Sequence, residues 1–188
     1  MAPLADELEA RGFFRYLDPQ HAAAAKAAVA KHGIDAIWRV ETGRYFLGAD
    51  PEDLAEGGVA EWLDELRPML ERMGIRIDED VEQEFGESRY VVRFGGREHT
   101  IYDLAGADAA AAEDGALLWG ISWSRAFALL NDLLERARSS ERAYAAYEAD
   151  LWFLTPELFE LLTAELTDAR ERPYVPTEQP PWFGEPGG

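Results

Sequence analysis

The apolar residues of this chain change period at Ile75. Before it, Val59, Trp62, Leu63, Leu66, Met69, Leu70 and Met73 recur at helical spacing, whereas from Ile75 to Asp103 they alternate. An alternating stretch can bury one face only as a strand, so a sheet must follow the helix directly. Gly86-Glu87-Ser88 and Gly95-Gly96 cut the stretch into three, and connections this short demand antiparallel neighbours. The expected product is a three-stranded meander over about 75–103. Ile75, Ile77, Val81 and Phe85 share the inner parity of its first strand, and Tyr90, Val92 and Phe94 take the inner face of the second.

Helices are announced by a different signal. Asp18-Pro19, Asp50-Pro51 and Thr155-Pro156 each set a side-chain acceptor at a helix N-cap and a proline at the first helical position. They predict an Ala-rich helix closing at Gly33, a short turn to Glu56, and an amphipathic helix carrying Leu158, Leu161 and Leu162. The helix from Val59 contains Pro68, which should kink or split it. A central helix is expected over about 122–138, with Ser122 or Ser124 as its cap, and a short one over Leu4–Arg11. Trp119 and Trp123 are placed in the core. Two further hairpins are expected, Ile37–Val40 with Tyr45–Leu47 and Arg142–Tyr147 with Leu151–Leu154.

Helices and hairpins without a repeating strand-helix-strand order predict an α+β domain, an antiparallel sheet packed against amphipathic helices. It should span 1–170, followed by a Pro/Gly-rich extended tail over 171–188. In that tail Trp182 and Phe183 would fold back onto the body or enter another chain.

Charge narrows the function. The 188 residues hold 18 basic and 37 acidic side chains, a net charge of -19, which disfavours nucleic acid and anionic membrane surfaces. Residues 50 to 89 alone carry 14 acids against Arg67, Arg72, Arg76 and Arg89. If the first strand of the meander is regular, Asp78, Asp80, Glu82 and Glu84 line its outer face as an unpaired negative row. Such a row suits a basic partner, a divalent ion, or simply a charged edge that discourages aggregation. Glu61, Asp64 and Glu65 around Trp62 extend the same potential onto the helix.

Little catalytic chemistry fits. There is no cysteine, so thiol nucleophiles and thiolate metal sites are excluded. Both lysines, Lys26 and Lys31, lie in the Ala-rich helix, which removes a phosphate-binding loop. His21, His32 and His99 have no metal-ligand spacing, and only His99, on a strand, lacks an evident structural use. The expectation is therefore no catalytic, metal or cofactor residue. No apolar run approaches about 18 residues and the N-terminus has no signal-like pattern, so a cytoplasmic protein without a membrane span is expected. Arginine outnumbers lysine 16 to 2, a bias associated with bacteria of high genomic GC content.

These readings favour an acidic binding protein that holds a basic protein partner through Glu61, Asp64, Glu65, Asp78, Asp80, Glu82 and Glu84. In size, acidity and lack of cysteine the chain resembles the small acidic immunity and antitoxin proteins of bacteria, a functional class with many folds. That resemblance rests on composition and implies a basic toxin as the partner. Two alternatives are a small-molecule enzyme using carboxylates or His99, and an oligomer-forming domain joined through Trp182 and Phe183.

Overall fold

A computed structural model describes residues 3–46, 50–77, 81–146 and 150–179. The fold is α+β, with two three-stranded antiparallel sheets packed against helices. Among the described residues the helices are α1 (Leu4–Ala10), α2 (Pro19–His32), α3 (Pro51–Ala55), α4 (Val59–Arg72), α5 (Gly115–Arg136) and α6 (Pro156–Glu165). The strands are β1 (Tyr45–Phe46), β2 (Glu82–Phe85), β3 (Arg89–Phe94), β4 (Arg97–Asp103), β5 (Arg142–Ala146) and β6 (Asp150–Leu154). One sheet has the order β2-β3-β4, the other β1-β6-β5.

The proline-marked helix starts form as the sequence predicts. Asp18 accepts from the N–H groups of Gln20 and His21, Asp50 from that of Glu52, and Thr155 from that of Leu158. Gly33 closes α2 at φ 75°, a conformation that favours glycine. Pro68 does not split α4, which continues through it to Arg72. The central helix is longer than expected, starting at Gly115 rather than at Ser122. Asp114 caps it by accepting from Leu117, while Ser122 and Ser124 are buried within it. Gly120, a poor helix former, is buried inside the same helix, where packing overrides propensity. Trp123 is covered by Phe127 and Tyr174, whereas Trp119, one turn earlier, is 39% exposed rather than in the core.

The meander forms, but its first strand is shorter than the alternation implied. Ile75 and Ile77 are buried without belonging to a strand, because Arg67 donates to the Ile77 carbonyl and holds the segment by a side chain. Phe85 shares the inner face with its ladder partner Tyr90, as expected, but it sits at the rim and is 52% exposed rather than in the core. The hairpin expected of Ile37–Val40 with Tyr45–Leu47 does not form among the described residues, Leu47 lying outside them. Ile34–Trp38 forms a 3-10 turn that points Ala36 and Ile37 into the core, and Tyr45 and Phe46 pair with Trp152 and Leu151. Arg44 is fully buried, so Thr42-Gly43-Arg44 cannot be a solvated hairpin turn. The hairpin of β5 and β6 is present, from Arg142↔Leu154 to Ala146↔Asp150.

The β1-β6-β5 sheet separates two cores. Ala143, Ala145, Leu151 and Phe153 face α4, α5 and the meander, while Tyr144, Ala146, Trp152 and Leu154 face α1, α2 and α6. Burial on both faces explains why β6 reads as a continuous apolar run. Between the cores lies an enclosed ion pair. Arg44 donates to both carboxylate oxygens of Glu141, at 2.8 and 3.2 Å, and to the carbonyls of Gly12, Phe13 and Phe153. Tyr16 donates to Glu141 as well, and the Arg44 guanidinium lies over the Tyr16 ring. Burial, seconded by the Glu141 carboxylate, pushes the Tyr16 phenol up and keeps it a donor.

The segment after α6 lies along the body as far as it is described. Tyr174 exchanges two backbone hydrogen bonds with Ala145, and Glu178 accepts both arms of Arg125, which also clasps Asp108. Burial opposes ionisation of Asp108, yet the hydrogen bonds from Arg125 and from the Asp103 N–H outweigh it and hold its carboxyl below the usual value.

An acidic cleft as the candidate functional site

Asp50-Pro51 starts α3, and five residues later Glu56-Gly57-Gly58 folds the chain back into α4. The turn needs its glycines. Gly57 sits at φ 101°, and a Cβ on Gly58 would come within 2.7 Å of the Asp53 carbonyl, which accepts the Gly58 N–H at 2.8 Å. The start of α4 is tied to the meander, because the Val59 N–H donates to the Tyr90 hydroxyl, which donates in turn to Gln83. Burial pushes the Tyr90 phenol up to about 12, so it is a neutral donor at ordinary pH. Phe85 packs its ring over Gly57 and edge-on to Tyr90, extending the sheet to the rim of the turn.

This geometry opens a cleft of about 400 Å³ between α3 and α4. Asp50, Asp53, Glu56, Glu61 and Glu65 line it around Leu54 and Trp62. No arginine or lysine is among the lining residues, and none of the five acids forms an ion pair among the described residues. Glu61 and Glu65 stand one turn apart on α4, an arrangement that costs a helix about 0.2–0.5 kcal/mol by like-charge repulsion. Stability alone does not favour such a cluster.

The residues singled out in the sequence are distributed unevenly around this cleft. Glu61 and Glu65 line it; Asp64 lies on the same helix but bonds Arg67 at 2.5 Å. Glu82 and Glu84 share a face of β2, and Glu84 is paired with Arg93, which also holds Glu98. The row is therefore not uniformly unpaired, because β3 supplies an arginine opposite it. Asp78 and Asp80 lie outside the described residues, as do Trp182 and Phe183. Asp50, Asp53 and Glu56 complete the cleft and were not singled out in the sequence. Their signal was the glycine pair after a short capped helix, which turns α3 back on α4.

His99 belongs to a second cluster on the opposite edge of the meander. Its Nε2 lies 4.0 Å from Asp132, which also pairs with Arg97 and Arg136, and that nitrogen is buried without a hydrogen-bond partner. Burial pushes the imidazole below its usual value; Asp132 works against this, while Arg136 and Arg97 reinforce it. The unfolded chain therefore takes up this proton first as pH falls. His99 contributes stability in full above about pH 6.5, and the contribution is lost as pH falls through its folded value. Urea midpoints followed from pH 8 to pH 5 are expected to fall less for His99→Gln than for the parent chain. Parallel profiles would contradict that assignment.

Among the described residues no group of three His, Asp or Glu side chains is placed to hold a metal ion, and no helix is long and apolar enough to cross a membrane. Comparison with known protein families, with curated proteins and with solved structures finds no match.

Proposed function

We propose that this chain is a cytoplasmic binding protein that holds a basic protein partner at the α3–α4 cleft, in the manner of an immunity protein or antitoxin that neutralises a basic toxin. One observation carries the reading. Five acidic residues line one cleft, with no cation of the same chain paired to them among the described residues, so their field is free for a partner. The rigid parts are suited to this: glycines fix the turn, Tyr90 anchors α4, and Trp62 packs beneath on Phe127. Lysine or arginine side chains entering the cleft would gain charge-assisted hydrogen bonds, and long-range attraction would speed their arrival. The mechanism is occlusion of the partner's own basic surface.

Reversing two of these charges tests the reading. With a small basic nuclease as probe, Glu61→Lys/Glu65→Lys is expected to slow association about tenfold at low salt and to flatten its salt dependence. An unchanged rate and an unchanged slope would overturn the proposal.

A further inference from the structure

The exposed strand edges of this molecule are not treated alike. On β5, the outward groups of Ala143 are closed by the Asn131 side chain, which donates to its carbonyl at 3.0 Å and accepts its N–H at 2.8 Å. The outward groups of Ala145 are closed by Tyr174. On β4, the Asp103 N–H donates to Asp108 and the Ile101 carbonyl accepts from Arg125. The far edge of β2 is different: among the described residues β3 is its only strand partner, and all four of its side chains are exposed.

The register says which groups that edge presents. Gly86 donates to Arg89 at 2.9 Å, so Gly86 and Arg89 form a hydrogen-bonded pair. Alternation makes Phe85↔Tyr90 and Gln83↔Val92 the non-bonded pairs, which turns the N–H and C=O of Phe85 and Gln83 away from β3. Both residues direct their side chains to the cleft side of the sheet, Gln83 onto Tyr90 and Phe85 onto Gly57. A strand laid along β2 would therefore run past the α3–α4 turn.

We infer that the β2 edge receives an extended basic segment of the partner, which pairs with Gln83 and Phe85 through backbone hydrogen bonds while its cations reach the acidic cleft. This rests on the cleft reading and specifies how the partner is held. Charge complementarity selects the occupant. Glu82 and Glu84 on the strand, and Glu56 and Glu61 beside it, would face their own kind if a second copy added to this edge, whereas a strand rich in lysine or arginine meets opposite charge. Phe85, 52% exposed, gives an apolar residue of that strand a surface to cover.

The test uses a peptide of about ten residues alternating lysine and valine, and the same peptide N-methylated at every residue, which keeps the charge but cannot donate to an edge. Binding to the full chain is measured by calorimetry at low and raised salt. The expected result is salt-sensitive binding of the first peptide and at least tenfold weaker binding of the second. In the protein, Gln83→Pro removes the outward N–H without touching the β2–β3 ladder and is expected to weaken the first peptide similarly. Gln83→Ala, which loses the Tyr90 contact but keeps the N–H, is expected to bind clearly more tightly than Gln83→Pro. Salt-sensitive binding indifferent to N-methylation and to Gln83→Pro would overturn the edge inference while leaving the cleft reading in place. Absence of salt-sensitive binding by either peptide would overturn both. A dimer of the free chain that dissociates in Gln83→Pro would overturn the basic occupant in favour of a second copy.

Discussion

Glu141→Ala is expected to destabilise the fold by about 3–5 kcal/mol, because it leaves the Arg44 guanidinium buried without a counter-charge. Arg44 is 0% and Glu141 1% exposed, so water cannot replace the lost partner without opening the structure. The three carbonyls that Arg44 also binds belong to the loop after α1 and to β6, and they position the arginine where Glu141 completes its coordination. A loss of this size is a large part of the about 5–15 kcal/mol that stabilises an ordinary domain. The pair itself is worth less than its rupture costs, since desolvating two charges consumes most of their attraction. Arg44→Met/Glu141→Leu, which removes both charges, is accordingly expected to recover much of the loss. Urea unfolding of the single and double variants checks this. A single variant within about 1 kcal/mol of the parent would show that the pair is not the junction described.

Trp152→Ala is expected to cost about 3–5 kcal/mol, the range for truncating a large buried aromatic residue. Trp152 is fully buried on the α1–α2–α6 side of its sheet, with Phe13, Trp38 and Tyr45 rings packed at 6.0, 5.5 and 4.9 Å. These neighbours come from three separate segments, so no single rearrangement fills the cavity. Trp152→Phe is expected to cost clearly less, since it keeps most of the apolar contact and removes an indole N–H that has no partner among the described residues. Thermal unfolding of both variants measures the difference. Equal losses for phenylalanine and alanine would mean that the indole N–H is satisfied and that this packing account is wrong.

Local chemistry made much of the fold legible. A proline behind an aspartate or threonine fixes a helix start through its own φ and its neighbour's acceptor, and no distant residue is needed. The alternation of Tyr90, Val92 and Phe94 likewise states which face is inner. Other features depended on residues far away. Thr42-Gly43-Arg44 has the composition of an exposed turn, and Glu141, 97 positions later, together with the carbonyls of Gly12, Phe13 and Phe153, draws the arginine inside. Trp119 and Trp123 have the same spacing as any core pair, but Tyr174 covers one and not the other.

The candidate site was legible in part for the same reason. An excess of acids over residues 50–89 can be counted, and Glu61 and Glu65 fall on the exposed side of a helix by periodicity. Which acids remain unpaired is a tertiary fact. Arg93 reaches Glu84 across the β2–β3 ladder and Arg67 reaches Asp64 along α4, whereas the fold-back at Gly57-Gly58 gathers Asp50, Asp53 and Glu56 where no cation follows.

Amide chemical-shift mapping with a lysine- and arginine-rich peptide asks where positive charge actually settles on this acidic surface. At low salt the largest shifts should fall on Asp53, Glu56, Gly57, Gly58 and Glu61, and they should fade as salt is added. Shifts spread evenly over the exterior, or gathered around Asp132 or Glu178 with the α3–α4 turn silent, would contradict the account.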